Sequence, residues 1–203
     1  MLFFGIKIGF LAYLMSCSSS DDTQFYTLNS LHSPSVNNNL KSDHIQQQIP
    51  IVIDSIGIPD SLDRPQLVSI IADGQMEQAE FHRWSGRLTE LIQRTIAKNI
   101  SHLMPNAIVF FIGERKHLPT KFKVLVKIRD LIGKRGDIIR LDVLWIVSDS
   151  SKKFAPVHRQ GVYKKKLSDA SYQQYVLGAS ELLQEFSRDI VKQIQGFPNL
   201  IHQ

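Results

Sequence analysis

The sequence predicts an α+β domain: a largely antiparallel, mixed sheet with two main helices packed on one face. Three observations carry that expectation. From Phe122 to Ile128 apolar residues alternate mainly with basic ones, and Ile139, Leu141, Val143, Trp145 and Val147 keep a period of two after a Gly133-Lys134-Arg135-Gly136 turn. Two further segments, Trp84 to Met104 and Tyr172 to Ile194, repeat apolar residues at steps of three and four. Period two marks strands with one wet face, and the three-four spacing marks amphipathic helices.

In chain order, Phe25-Tyr26-Thr27-Leu28 is the expected first strand of a single domain spanning residues 25–198. Residues 29–48, with "SPSVNNNLKSD" and "QQQ", hold no consistent apolar face and read as a flexible loop. Ile49 to Ile58 is short, β-branched and closed by Pro59-Asp60, the signature of a strand. Two short strands follow, turning at Asp73-Gly74. Trp84, Leu88, Leu91, Ile92, Ile96, Ile100 and Leu103 form the stripe of the first helix, which His82, Arg83 and Trp84 open and Pro105-Asn106 ends. Ile108 to Ile112 is a continuously apolar strand.

The long hairpin comes next. Phe122, Val124, Val126 and Ile128 alternate with basic residues, and Ile139, Leu141, Val143, Trp145 and Val147 resume the alternation after the turn. Val157 to Leu167 is a further strand. Ser168 is then the expected cap of the last helix, whose stripe is Tyr172, Val176, Ala179, Leu183, Phe186, Ile190 and Ile194. Gly196 and Pro198 stop it, leaving residues 199–203 as a tail.

The start of the chain carries a different kind of information. Lys7 is the only charge from Met1 to Met15, and Ile8 to Met15 is wholly apolar. About 20 apolar residues are needed to cross a bilayer core, so this stretch suits a secretory signal better than a spanning helix. Leu14-Met15-Ser16-Cys17 resembles a bacterial lipobox. That resemblance implies a signal peptide over residues 1–16, cleavage between Ser16 and Cys17, and a diacylglycerol on the Cys17 thiol. Cys17 is the only cysteine of the chain, so it has no partner for an internal disulfide, and acylation would consume a thiol otherwise exposed to oxidation.

Residues 17–24 then form a lipidated tether. The seven residues after Cys17 reach at most about 25 Å, so the folded body stays near one membrane. Ser18 follows the cysteine where an aspartate would resemble an inner-membrane retention signal. The expected location is therefore the periplasmic face of the outer membrane of a Gram-negative bacterium.

The search for chemistry is mostly a process of exclusion. His32, His44, His82, His102, His117, His158 and His202 show no metal-type pairing, and no nucleophile elbow, phosphate loop or dinucleotide fingerprint occurs. No catalytic residues, metal or cofactor are expected beyond the covalent lipid on Cys17. Net charge is +5, or +4 once residues 1–16 are set aside. This mild excess and an exported location argue against nucleic acid as a partner.

Two features stand out on the expected surface. Lys121, Lys123, Lys127 and Arg129 share a strand face, and Lys164, Lys165 and Lys166 end the later strand. They read either as a solvated or defended sheet, or as an attraction for anionic lipid headgroups or an acidic protein. The blocks around Asp63, Arg64 and Pro65 and around His82 and Trp84 read either as a stiff packed loop or as a partner interface.

One resemblance joins these pieces. "FYTL" soon after a lipobox cysteine, "IPDSLDRPQLV" and "AEFHRWSGRLTELIQRTIAKNIS" together resemble the PqiC-like, YmbA-type auxiliary lipoproteins of ABC-type transport. "SYQQYVLGASELLQEFSRDIVKQI" resembles that family's closing helix, so the likeness covers nearly all of the mature chain. The family resemblance implies a non-catalytic partner of MCE systems, which carry phospholipids or other hydrophobic molecules between two membranes. It implies docking of a periplasm-spanning MCE-domain protein at the outer membrane, beside outer-membrane lipid, and is compatible with a homo-oligomer. A periplasmic lipoprotein hydrolase and an envelope-assembly factor are the alternatives from other classes.

Overall fold

The computed structural model describes residues 22–31, 48–111 and 119–198. The signal peptide, Cys17, most of the expected loop and the tail lie outside them. The described chain runs β1 (Gln24–Tyr26), β2 (Ile49–Gly57), β3 (Gln66–Ala72), β4 (Gln75–Trp84), α1 (Leu88–Leu103), β5 (Ala107–Phe111), β6 (Phe122–Gly133), β7 (Ile138–Asp149), β8 (Val157–Lys166) and α2 (Tyr172–Gln195).

The α+β class holds, with the strands divided between two mixed sheets rather than one. A five-stranded sheet has the order β5-β2-β6-β7-β8, and a three-stranded sheet has the order β1-β4-β3. β2 pairs in parallel with both β5 and β6, and β1 pairs in parallel with β4. The β3–β4, β6–β7 and β7–β8 pairs are antiparallel. Parallel pairing is thus as frequent as antiparallel pairing. Side-chain alternation has the same period in both, so the sequence pattern carries no direction.

The hairpin is the best specified element. β6 and β7 pair from Phe122↔Asp149 to Gly133↔Ile139, with one irregularity near Ile128. Gly136 adopts φ +75° in the turn, a conformation that glycine reaches without steric cost. Phe122, Val124, Val126, Ile139, Leu141, Val143 and Val147 are buried, while Lys123, Lys127 and Arg129 are exposed.

Two boundaries differ from the sequence expectation. Trp84 ends β4 instead of opening α1. Its N–H is held by the Pro65 carbonyl and the next N–H by the Tyr26 carbonyl, which commits the backbone to sheet pairing. α1 begins four residues later, after Gly86 and an extended Arg87. The cap of α2 is Ser171 rather than Ser168. Ser171 Oγ accepts from the Gln174 N–H at 3.2 Å, while Leu167 is still tied to the hairpin through the Asp137 carbonyl.

The helices cover one face of the five-stranded sheet. Ile92, Ile96 and Ile100 of α1 and Leu182, Leu183, Phe186, Ile190 and Ile194 of α2 join Ile51, Ile53 and the inward residues of β6 and β7 in one core. Full burial of such side chains contributes about 1.5–3 kcal/mol each. The helix contact is also stitched by polar atoms. Asn99 donates to Ser187 Oγ at 3.2 Å and accepts from the Leu31 N–H at 2.8 Å. Ser180 Oγ accepts from the Asn29 N–H, so residues 29–31 lie pinned across both helices.

Tyr175 joins the two sheets. Its buried hydroxyl donates to the Val68 carbonyl of β3 at 2.8 Å and accepts from the Gly133 N–H of β6 at 3.1 Å. Burial pushes this phenol well above the usual tyrosine range, so it stays protonated and able to donate. Tyr175→Phe leaves a buried carbonyl and a buried N–H unpaired, and a cost of about 1–3 kcal/mol is expected. A lower urea midpoint at an unchanged denaturant slope is the expected reading. An unchanged midpoint would show that the hydroxyl does not hold the sheets together.

Candidate functional site

The residues singled out in the sequence fall into two separate places. At the first, the turn before β3 lies against the end of β4. Gln66 pairs with Arg83, the Trp84 N–H bonds the Pro65 carbonyl, and Asp63 meets Arg87 at 3.6 Å. Asp63, Arg64 and Pro65 are therefore brought beside Trp84 by this pairing, although it lies 19 to 21 positions further along the chain. Trp84 itself is buried in the core. The Nε atoms of Arg64 and Arg83 are buried without a hydrogen-bond partner among the described residues.

His82 faces a different set of groups. Its Nδ1 lies 2.7 Å from the Tyr26 hydroxyl, its ring stacks on Tyr172 at 4.0 Å, and the Arg135 guanidinium lies 4.2 Å over the Tyr172 ring. Arg135 also meets Glu77 at 3.1 Å. Burial, and then the nearby Arg135 charge, hold the His82 imidazole below the usual histidine range. The ring is therefore neutral at neutral pH. This cluster joins β1, β4, the β6–β7 turn and the start of α2, and it orients His82 for packing.

The second place is the face of the five-stranded sheet opposite the two helices. Lys123, Lys127 and Arg129 of β6 project there, away from the buried side chains between them. On β8, Tyr163 donates to Asp189 of α2 at 2.7 Å, and Lys165 meets Glu181 of α2 at 2.5 Å. Those two side chains face the helix, so Lys164 and Lys166 take the opposite face. The three consecutive lysines are thereby divided. Lys121 precedes β6 and is half-buried, its N–H bonded to the Pro50 carbonyl.

Asp142 was not marked by any sequence signal. It accepts from Arg129 at 2.6 Å and lies 3.1 Å from Arg140, which also approaches Asp130 at 3.7 Å. Two arginines of the basic face are thus held by carboxylates within the sheet. Aspartate on the wet side of a strand looks like ordinary solvation until strand register places a cation on each side of it.

A groove of about 690 Å³ lies elsewhere, between the end of α2 and the β7–β8 edge. Trp145, Phe154, Val157 and Phe197 line it with Arg159 and Lys192. Gln193 closes its floor by accepting from the Trp145 indole at 2.6 Å and donating to the Val157 carbonyl at 2.9 Å. Among the described residues, no group of three histidine, cysteine or acidic side chains is placed to hold a metal. No helix among them is long and apolar enough to cross a membrane.

Two mixed sheets packed with two helices, with basic side chains on the sheet face opposite the helices, define a small α+β module. Residues 26–191 match the family model described as the ABC-type transport auxiliary lipoprotein component, and the chain belongs to that family. Its coarse role follows from membership: an auxiliary component of transport, in a family of membrane-anchored lipoproteins.

Solved structures agree on the fold. An uncharacterized protein is 16% identical with a TM-score of 0.68, covering 86% of this chain and 99% of its own. A protein of Xanthomonas campestris from the DUF330 family is 11% identical with a TM-score of 0.66, covering 85% of this chain and 94% of its own. No curated protein gives a match.

Proposed function

We propose that this protein is a non-catalytic outer-membrane lipoprotein that docks or positions a periplasm-spanning MCE-domain protein in an intermembrane lipid-transport system. The observation that carries the reading is the family match over residues 26–191, which begins only nine residues after the lipobox cysteine. A body on so short a tether cannot cover the periplasm itself. Its transport role then requires a partner that brings the path to it.

Around His82, the geometry favours packing over hydrolysis. An acyl-transfer enzyme needs a nucleophile within hydrogen-bond reach of a base. The hydroxyl partner of His82 is the phenol of Tyr26, and its other face is closed by Tyr172.

The test is a crosslinking pull-down of the full-length protein from intact envelopes. Recovery of an MCE-domain protein at a fixed stoichiometry is expected. Its reproducible absence, under conditions that retain other envelope complexes, would remove the docking role and leave only the coarser transport assignment.

A further inference from the structure

We infer that the end of the domain formed by the β3–β4 hairpin tip and the β6–β7 turn rests on the headgroup layer of the membrane that holds the Cys17 lipid. The inference rests on the lipid anchor of the reading above and is independent of MCE docking. It adds which surface meets lipid and how the domain stands on it.

Strand register assembles this end as one row. Met76 of β4 lies opposite Ile70 of β3, and Ile70 bridges to Lys134 just beyond β6. The Lys134 N–H bonds the Ile138 carbonyl of β7, and Ile138 lies opposite Lys166 of β8. With adjacent strands about 4.8 Å apart, the row spans about 19 Å. The Ile70 bridge is parallel, so β3 continues in the direction of β6 and residues 71–75 project beyond the row. Gly74, at φ +75°, closes that tip. From Ile70 to Asp73 the projection reaches about 10 Å, against roughly 5–8 Å for one headgroup layer.

The side chains at this end suit an interface between water and lipid. Ile71, Met76 and Ile138 are 45%, 52% and 43% exposed. They are three of the six exposed large apolar side chains among the described residues, and they gather at one end. Lys134, Lys164 and Lys166 are exposed here, and so are Asp73, Asp137 and Asp169. Arg135 is already held by Glu77, and Lys165 by Glu181. Exposed charges of both signs in equal number fit a zwitterionic headgroup layer, lysine meeting phosphate and aspartate meeting ammonium. They give no overall attraction to an anionic surface.

The tether selects the membrane as the occupant. β1 runs parallel to β4 with Gln24 opposite His82, so the chain enters β1 from the side where β4 begins, which is the side of the tip. Gln24 shares a recess with Arg135, Ser171 and Tyr172, beside the β6–β7 turn and the start of α2. From the level of His82 to that of Gln75, the strand covers about 23 Å. The seven residues after Cys17 reach at most about 25 Å. A fully drawn tether therefore brings Cys17 about level with the tip and cannot hold the tip clear of the leaflet. A protein partner or a second copy seated here would need room that the tether does not give. α2 starts at this end and finishes at the other, so the groove lined by Trp145 and Phe197 faces away from the membrane.

The test uses the full-length acylated protein in vesicles of phosphatidylethanolamine and phosphatidylcholine that carry a headgroup-attached nitroxide. On the lipobox reading Cys17 is consumed by lipid, so a single introduced cysteine takes the fluorophore. Ile71→Cys, Met76→Cys and Ile138→Cys report the contact, and Lys153→Cys, in the loop after β7, reports the far end. Quenching at the first three is expected to exceed that at Lys153 by about twofold or more, with or without phosphatidylglycerol. With the label at Ile138, Ile71→Gln/Met76→Gln should lower quenching about twofold, while Ile71→Leu/Met76→Leu should retain it. Circular dichroism melts of the variants control for folding.

Quenching no stronger at the tip than at Lys153 would overturn the inference. So would quenching that needs phosphatidylglycerol and vanishes in high salt, because lysines alone would then make the contact. A disulfide-linked dimer through Ile71→Cys would put a second copy at the tip and overturn it as well. If the chain carries no acyl group, the anchor reading fails and the inference falls with it. If the acylated chain keeps its tip in water, the anchor stands and only this contact falls.

Discussion

Phe186→Ala is expected to destabilise the domain by about 3–5 kcal/mol, the range for truncating a fully buried phenylalanine. Phe186 is 0% exposed at the middle of α2. Its ring meets Trp145 edge-on at 5.2 Å and Tyr163 at 6.1 Å, so it packs on β7 and β8 at once. The neighbours cannot easily close the gap. Trp145 is held by Gln193 and Tyr163 by Asp189, both from α2 itself. For a domain of this size, each kcal/mol lowers the melting temperature by roughly 2–4 °C, so a fall of roughly 6–20 °C is expected. Differential scanning calorimetry reads it directly. A change under about 1 kcal/mol would mean that the helix–sheet contact is able to repack, contrary to the rigidity of a close-packed interior.

The sequence made some parts of this structure plain for identifiable reasons. The β6–β7 hairpin was legible because Lys123, Lys127 and Arg129 alternate with buried residues and the glycines of 133–136 mark the reversal. α2 was legible because Val176, Ala179, Leu183, Phe186, Ile190 and Ile194 recur at helical spacing and are all buried. Trp84 misled because its separation from Leu88 is also helical, and both side chains are buried. What decides its place is a long-range bond to the Pro65 carbonyl, which local spacing does not encode.

Direction and neighbourhood were hidden for the same reason. Nothing in "IPIVID" says that β2 will pair in parallel with two strands. For the candidate surface, the basic residues were visible but their division was not. Lys165 turns to Glu181, Arg129 is held by Asp142, and Lys123 and Lys127 share a face with Lys164 and Lys166 only because β7 lies between their strands. A charge count sees seven similar cations. Register separates those already satisfied from those available to a partner.

Cys17→Ala is expected to abolish acyl labelling and leave either an unprocessed precursor or a released soluble form. Each buried methylene of a lipid chain contributes about 0.8 kcal/mol, and stable anchoring takes two such signals together. On the lipobox reading, removing the thiol removes the acyl chains that attach through it and the processing step that depends on it. No described helix is long and apolar enough to replace them. Fractionation with metabolic acyl labelling checks the result, and equal membrane association with retained label would sink the lipoprotein assignment. The same variant also separates the two roles suggested for the lysines. If a released form keeps its MCE partner, the basic sheet face works by contact with protein. If the unlabelled variant stays on membranes and high salt strips it off, the lysines are holding lipid headgroups, because exposed charge pairs weaken with ionic strength and a buried acyl chain does not.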